Sequence, residues 1–199
     1  MMLKICGITN REDALAAIDG GAAALGFNFY AVSPRYIQPE EAAAIIAGLP
    51  AAVWKVGVFV DESAERILAI ARQVGLDVAQ LHGNEQPAQY PPGMRVWKAV
   101  RVKDGAAWEA AAGRGPAPQV EAVLLDGPAS GQTFDWTRAP HGIAKLILAG
   151  GLDAGNVRQA IRQVRPWGVD ACSQIEYAPG RKDHLKMAAF LKAALEASS

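Results

Sequence analysis

The feature of this sequence that most restricts its fold is a regular alternation between short apolar runs and longer segments with helical spacing. Eight runs are rich in β-branched and aliphatic side chains, which is typical of buried strands. They cover residues 3–6, 24–29, 53–60, 78–82, 95–100, 122–126, 145–150 and 168–173. Strands that alternate with helices predict a parallel sheet, because parallel neighbours need a crossover connection between them.

Five Ala-rich or amphipathic segments between or after these runs predict helices. They lie at 11–21, 39–49, 61–75, 156–164 and 183–197. We expect Thr9 and Asp61 to begin the caps of the first and third helices, and Pro39 to occupy the first turn of the second. We expect glycines to mark the ends of these three helices, at Gly20, Gly48 and Gly75.

Eight such units close naturally into a barrel. The predicted fold is therefore α/β, a single-domain (β/α)8 TIM barrel that occupies residues 1–199. An open, doubly wound sheet is the alternative. We prefer the barrel because the units number eight and no strand leads into the G-x-G-x-x-G turn typical of dinucleotide-binding sheets.

The charge and the cysteine content restrict the classes of partner and the compartment that we expect for this chain. Lys plus Arg and Asp plus Glu both total 20, so the chain has no net charge to favour a nucleic acid or a membrane surface. No apolar run approaches the roughly 18 residues that span a bilayer, and we expect a cytoplasmic protein. Cys6 and Cys172 match no zinc or CxxC spacing, so we expect both thiols to be reduced.

The residues at the carboxyl ends of the strands are the candidates for chemistry, because the active sites of such barrels lie there. Cys6 ends the first strand, His82 the fourth and Asp126 the sixth. Arg35 lies in the polar loop after the second strand. We expect these four side chains to surround one site.

The last two strands lead into a predicted phosphate site. Gly150 and Gly151 allow close approach of the backbone, and the segment Ser173–Glu176, "SQIE", predicts a capping box that opens a short helix. The predicted phosphate-binding residues are Gly150, Gly151, Cys172, Ser173 and Gln174.

Seven segments in register resemble one enzyme family. They are "KICGIT", "GFNFYAVSPRYI", "KVGVFVDE", "QLHGNE", "LLDGPASGQTFDW", "LAGGLDAGNV" and "VDACSQIEYAPGRKD". Between residue 3 and about residue 190 they resemble phosphoribosylanthranilate isomerase of the tryptophan pathway. In two places the chain departs from the family pattern: Cys172, Ser173 and Gln174 replace a small Ser-Ser-Gly run, and the loop after Asp126 has fewer glycines.

The resemblance implies an Amadori rearrangement of N-(5-phosphoribosyl)anthranilate to the open-chain aminoketose, with no metal and no organic cofactor. It assigns the catalytic roles to Cys6 and Asp126 and substrate contact to Arg35 and His82. The residue types fit, because ring opening needs an acid and the proton transfer from carbon needs a base. The partner is a small phosphorylated sugar, and the chain is expected to be a monomer or a homodimer.

Three alternatives remain at this point. The related isomerase of histidine biosynthesis performs the same rearrangement but uses aspartates in both catalytic roles, whereas this chain has Cys6 in the first. A metal-dependent sugar-phosphate epimerase needs several His and carboxylate ligands, and the chain has three histidines, His82, His141 and His184. A non-catalytic barrel that binds a phosphate ligand would not need both Cys6 and Asp126.

Overall fold

The architecture is a closed barrel of eight parallel strands, seen in a computed structural model that describes residues 1–102, 117–140 and 142–198. The strands pair in chain order and β8 closes on β1, with Leu3 opposite Val169. This confirms the predicted barrel. The strands are β1 (Met2–Cys6), β2 (Ala24–Asn28), β3 (Trp54–Phe59), β4 (Val78–Leu81), β5 (Arg95–Arg101), β6 (Val120–Asp126), β7 (Leu146–Leu148) and β8 (Gly168–Ala171).

All five predicted helices are present. They are α1 (Arg11–Asp19), α2 (Pro39–Ile46), α3 (Ala64–Val74), α4 (Val157–Val164) and α5 (His184–Ala197). Pro39 lies in the first turn of α2 as expected, and Gly20 and Gly75 cap α1 and α3. The second helix ends earlier than predicted, with Ala47 rather than Gly48 at its cap. Within the described ranges, no helix combines the length and the apolar character that crossing a bilayer requires.

Two predicted N-caps were wrong by one or two residues. Asn10, not Thr9, caps α1 by accepting a hydrogen bond from the Asp13 amide at 2.8 Å, because the Thr9 hydroxyl donates to the Gly180 carbonyl instead. Ser63, not Asp61, caps α3. The Asp61 carboxylate accepts a hydrogen bond from the Asn84 amide at 2.6 Å, which ties it to the loop after β4.

The core has two layers because each strand is covered on both faces. One layer packs between the strands and the helices and includes Ile5, Phe27 and Leu81. The other fills the lower half of the barrel, where Trp97 is fully buried and stacks on Trp54 at 5.8 Å between ring centroids. Burial of large apolar side chains is worth roughly 1.5–3 kcal/mol each. The packed lower half leaves open space only toward the carboxyl ends of the strands.

The upper half of the barrel interior contains polar residues. Lys4, Gln80 and Asp170 are buried there on β1, β4 and β8. Buried charges need a partner, since their desolvation costs several kcal/mol. This polar layer is the floor of the site.

The predicted capping box at Ser173–Glu176 was wrong. Residues Ser173–Ile175 form only one 3-10 turn, and a small antiparallel hairpin follows, β9 (Glu176–Ala178) with β10 (Arg181–Lys182). The Glu176 carboxylate cannot cap the turn because it bonds to Arg35 and Lys182 instead. The expected helix N-terminus beside the phosphate site is therefore reduced to a single turn.

Candidate active site

One cavity of about 910 Å³ opens at the carboxyl ends of the strands. Its size is in the range of small-molecule sites. Every residue that the sequence predicted for the site borders it: Cys6, Arg35, His82, Asp126, Gly150, Gly151, Cys172, Ser173 and Gln174. The structure thus brings together residues from both ends of the chain, because β1 and β8 are neighbours in the closed sheet.

Cys6 is the last residue of β1 and is partly exposed to this cavity. A Cβ atom on Gly26 of β2 would lie 2.7 Å from its Sγ atom. Such a contact is far shorter than van der Waals separation, so the neighbouring strand needs a glycine beside the thiol. The sequence "LGF" in β2 is therefore part of the site, although Gly26 supplies no functional group.

Lys4 lies beneath Cys6, on the same inward face of β1. Its ammonium donates to Asp170 of β8 at 2.8 Å, and the Lys4 side chain is 0% exposed. Burial opposes the charged ammonium, but the negative charges of Asp170 and Cys6 outweigh it and raise the pKa of Lys4. Lys4 is therefore a fixed positive charge at the floor of the cavity.

The environment of Cys6 favours the thiolate. A hydrogen bond from the Cys172 side chain and the positive charges of Lys4 and Lys182 outweigh burial and lower the pKa of Cys6 well below its ordinary value. Cys172 carries the opposite shift: its hydrogen bond to Cys6 and its burial raise its pKa. Of the two thiols, Cys6 is the one prepared to act as a base.

Two buried acceptor atoms face the cavity without a partner among the described residues. They are the Oδ1 atom of Asp170 and the Oε1 atom of Gln80. Burial raises the pKa of Asp170 to about 7, although Lys4 acts against it. Unpartnered buried acceptors are uncommon in proteins. Both atoms belong to residues that border the cavity but have almost no accessible surface of their own.

Asp126 is at the end of β6, on another side of the mouth from Cys6. Its Oδ2 atom lies 3.2 Å from the Nε2 atom of His82, and its Oδ1 atom accepts from the Gly127 amide at 2.9 Å. The side chains of His82 and Asp126 are 18% and 21% exposed. The carboxyl group is held in place and still borders the open cavity.

The loop that carries His82 is fixed from below by Glu85. The buried carboxylate of Glu85 accepts from the amides of Asp61 and Gly83 at 2.8 and 3.1 Å. Lys98 of β5 donates to it at 2.7 Å and also to the carbonyl of Gly83 at 2.6 Å. These contacts hold His82 against Asp126.

Arg35 lies at the mouth in the loop between β2 and α2. Its guanidinium forms a two-point ion pair with Glu176, with the Nη2–Oε2 distance at 2.7 Å and both Nε contacts at 3.0 Å. The same carboxylate accepts from the buried Lys182 ammonium at 2.8 Å. Arg35 is therefore fixed by residues about 140 positions away.

The predicted phosphate loops meet beside this arrangement. Gly150 has φ +82°, and a Cβ atom there would lie 2.3 Å from the Gly127 amide nitrogen. Only glycine allows so close an approach of the two loops. The amide groups of Gly150 and Gly151 donate no hydrogen bond to any group in the described part of the chain. The side chain of Gln174 donates to the Gly131 carbonyl at 2.8 Å and ties the loop after β6 to the phosphate loops.

Metal-ligating side chains do not cluster in the described residues, where no group of three or more His, Cys, Asp or Glu is arranged to hold an ion. His82 contacts Asp126 and His184 contacts Asp13. His141 lies outside the described residues.

Sequence reasoning missed several functional side chains. Lys4, Gln80 and Asp170 each stand at an inward position of a strand that is otherwise apolar, which is a signal that was present in "LKIC", "VAQL" and "GVDA". Glu176 was assigned to a cap. Lys182 had no signal, because its importance follows from contacts that only the folded chain makes.

The fold and this cavity define a barrel enzyme with a thiol, a carboxyl group and fixed cations at its mouth. The family model described as N-(5'-phosphoribosyl)anthranilate (PRA) isomerase matches residues 3–193. The chain belongs to this family.

Individual relatives match this chain over nearly its whole length. An N-(5'-phosphoribosyl)anthranilate isomerase of Solibacter usitatus is 52% identical, over 98% of this chain and 97% of its own length. A crystal structure of phosphoribosyl anthranilate isomerase in complex with reduced 1-(o-carboxyphenylamino)-1-deoxyribulose 5-phosphate has a TM-score of 0.88 and 41% identity, and covers 98% of this chain and 99% of that one. Mutually generated monomers of the dimeric enzyme from Thermotoga maritima give a TM-score of 0.87 at 42% identity, with the same coverage.

Proposed function

We propose that this chain isomerises N-(5'-phosphoribosyl)anthranilate to 1-(2-carboxyphenylamino)-1-deoxyribulose 5-phosphate in tryptophan biosynthesis, with Cys6 and Asp126 as the base and the acid. The observation that carries the proposal is one cavity bordered by both residues in a chain that the isomerase family model matches from residue 3 to residue 193.

Asp126 supplies the acid in the first step. The furanose ring opens when its ring oxygen is protonated and the bond from that oxygen to the first sugar carbon breaks, which leaves a protonated Schiff base with the anthranilate nitrogen. His82, 3.2 Å from the carboxyl group, orients it toward the cavity. Protonation of a leaving oxygen by a positioned acid typically contributes a factor of about 10² to 10⁴ in rate.

Cys6 supplies the base in the second step. Its thiolate removes the proton from the second sugar carbon, and the electron pair moves toward the Schiff-base nitrogen to give an enolamine. The enolamine becomes the ketone when the first sugar carbon takes up a proton and the hydroxyl group on the second carbon loses one. Lys4 and Lys182 are positive charges that stabilise the thiolate before the reaction. A base whose charged form is already favoured needs no reorganisation at the moment of proton transfer.

Three groups of residues hold the substrate. The free amides of Gly150 and Gly151, with the turn that begins at Ser173, bind the phosphate. Arg35 receives the carboxylate of the anthranilate ring, since guanidinium and carboxylate match in shape. His82 borders the sugar together with Asp126. The side chain of Gln174 supports the phosphate loops through the Gly131 carbonyl, and the backbone amides of Cys172 and Gln174 contribute to the phosphate site.

Gln80 and Asp170 lie at the floor of the sugar site, and a small shift of either side chain would bring its buried acceptor to a sugar hydroxyl group. A hydroxyl is the donor that the substrate offers at the cavity floor, and each contact would satisfy an acceptor that is unpartnered in the described residues. Leaving such a group unsatisfied costs about 1–3 kcal/mol. The substrate thus recovers this cost when it binds.

The alternatives are disfavoured by the same residues. The histidine-pathway isomerase needs an aspartate where this chain has Cys6. A silent binding barrel has no use for Lys4, whose only described partners are Asp170 and Cys6. The metal-dependent epimerase needs a ligand cluster of a kind that the described residues do not form.

The proposed setting is the cytoplasm, because a catalytic thiol beside a second thiol needs the reducing conditions that keep the pair unbridged. The partner is a small phosphorylated sugar, and no nucleic acid or membrane is involved. Both a monomer and a homodimer are compatible with the site, since every group named above comes from one chain.

Complementation tests the function. A tryptophan auxotroph that lacks this isomerase should grow when the chain is supplied on a plasmid, and the Cys6→Ala variant should not support growth. A histidine auxotroph that lacks the related isomerase is the matched control and should stay dependent on histidine. Rescue of the histidine strain alone would reject the proposal.

A further inference from the structure

Glu176 is the centre of a buried ionic cluster that the proposed chemistry leaves unexplained. Its side chain is 4% exposed, and it forms the two-point contact with Arg35 described above. Oε1 also accepts from the Lys182 ammonium and, at 3.2 Å, from the amide of Gly180. A carboxylate with this many donors has a single orientation.

Among the described residues, part of the Arg35 guanidinium has no partner besides this contact. A guanidinium has five N–H groups in a planar fork. Glu176 takes the Nε proton and one proton of Nη2, so three protons remain, two on Nη1 and one on Nη2, and one from each nitrogen forms the Nη1/Nη2 edge. Arg35 borders the cavity, and this edge is the one available to a ligand.

One cation of the cluster reaches the cavity. Arg35 and Lys182 share the negative charge of Glu176, and Lys182 also stabilises the Cys6 thiolate. Because the Lys182 side chain is fully buried, Arg35 is the cation of this cluster that borders the cavity. A partly desolvated positive charge attracts an anion strongly.

Lys98 shows the contrasting case. It also borders the cavity, but its three protons go to the carbonyls of Leu81 and Gly83 and to Glu85. Its charge is matched by one carboxylate and its donors are used. Lys98 holds a loop, whereas Arg35 has donors to offer.

We propose that Glu176 is a positioning residue, which holds the Arg35 guanidinium so that its free edge receives the aromatic carboxylate of the substrate. This rests on the proposed function. Without Glu176, the long Arg35 side chain would sample several rotamers and lose the orientation that a two-point contact with a carboxylate requires.

The test compares two ligands on the Glu176→Gln variant. One is reduced 1-(o-carboxyphenylamino)-1-deoxyribulose 5-phosphate, and the other is the same compound without the ring carboxyl group. We expect the variant to bind the carboxylated ligand roughly tenfold more weakly and the other ligand as the parent does. In steady-state kinetics KM should rise by a similar factor, with kcat changed less than roughly threefold.

Two comparisons show that the effect passes through Arg35. The Arg35→Ala variant should lose the same discrimination between the ligands, and adding Glu176→Gln to it should have no further effect. Glu196→Gln removes a carboxylate from an exposed pair with Arg158, in which both side chains are 49% exposed, and should change neither affinity.

The outcomes separate the two proposals. The inference is overturned if Glu176→Gln weakens the binding of both ligands equally, or if it lowers affinity by its full factor in the Arg35→Ala background. Glu176 is then only a structural residue. If the parent chain binds neither ligand and fails to rescue the tryptophan auxotroph, the proposed function itself is wrong.

Should Glu176→Gln not fold, as judged by circular dichroism, Glu176→Asp replaces it. That variant keeps the charge but shortens the reach, and it should show the same selective loss.

Discussion

The two sides of the cavity mouth are built differently. Around Cys6, on β1, β8 and the β9–β10 hairpin, the charged side chains of Lys4, Asp170, Glu176 and Lys182 are between 0% and 8% exposed. They form two ion pairs, Lys4 with Asp170 and Lys182 with Glu176. Around Asp126, on β4 and β6, the carboxyl group and His82 are about one-fifth exposed and have a single side-chain contact between them.

The difference follows from what each group has to do. A thiol is largely protonated at neutral pH, so it becomes a base only if fixed positive charges stabilise its anion. Such charges act most strongly where water is excluded. A carboxyl group that delivers a proton to a ring oxygen needs less support and also needs access to a proton source. In the proposed mechanism, the buried side prepares the base and the open side serves the acid.

The largest expected effect is on the buried side. Replacing Cys6 by Ala removes the proposed base from surroundings that stabilise its anion. Turnover should fall roughly a thousandfold, within the range typical of a positioned base. Steady-state assays with substrate generated in place measure it, and circular dichroism checks the fold. Turnover within a factor of ten of the parent would show that Cys6 is not the base.

Asp126→Asn should have a somewhat smaller effect. The amide keeps the shape of the carboxyl group but has no acidic proton, and the more open surroundings allow water to donate in its place. We expect turnover to fall roughly a hundredfold. A loss greater than that of Cys6→Ala would contradict the distinction between the two sides, and an unchanged rate would remove Asp126 from the mechanism.

His82→Gln tests the contact that orients the acid. Glutamine can still donate a hydrogen bond to Asp126, though from a different position, so we expect roughly a tenfold loss in kcat. In the Asp126→Asn background, His82→Gln should lower kcat hardly at all, because the carboxyl group that His82 orients is gone. Full additivity of the two losses would show that His82 acts separately, for example on the sugar.

The smallest effect is expected for Cys172→Ser. The serine hydroxyl can still donate to Cys6 and the backbone of the phosphate loop is unchanged, so turnover should stay within roughly threefold of the parent. Alkylation should still inactivate the variant through Cys6, and phosphate ligands should protect it. If inactivation is lost together with Cys172, the reactive thiol was assigned to the wrong residue.

The barrel could be predicted from the sequence because the signals for its strands and helices are local. Runs such as "VWKVGVFV" show strand periodicity within a few residues, and eight of them in alternation with helices leave few topologies. The positions of Cys6, His82 and Asp126 followed from the same pattern, since Cys6 and Asp126 end strands and His82 directly follows the end of β4. Their bordering one cavity agrees with that prediction, and their roles remain to be tested by the variants above.

The supporting charges could not be predicted in this way. Lys4 and Asp170 are 166 positions apart, as are Cys6 and Cys172, and they meet only because β8 closes on β1. Glu176 looked like a helix cap because "SQIE" satisfies the local pattern, but two cations of the folded chain compete for its carboxylate more strongly than a backbone amide does. Local sequence patterns predict individual helices, strands and caps. Ion pairs between distant residues of the folded chain can override such a prediction.

The most direct test of this account is the pH dependence of Cys6 alkylation by iodoacetamide, measured in the Cys172→Ser variant so that one thiol remains. Only the thiolate reacts. A hydrogen bond from the side chain at position 172, which serine can still donate, and the fixed positive charges of Lys4 and Lys182 lower the pKa of Cys6. The rate should therefore reach its plateau at a pH well below about 8.5, the ordinary value for a thiol, and turnover should fall as the pH decreases through the same midpoint. A midpoint at or above about 8.5 would contradict the claim that the buried side of the mouth prepares the base.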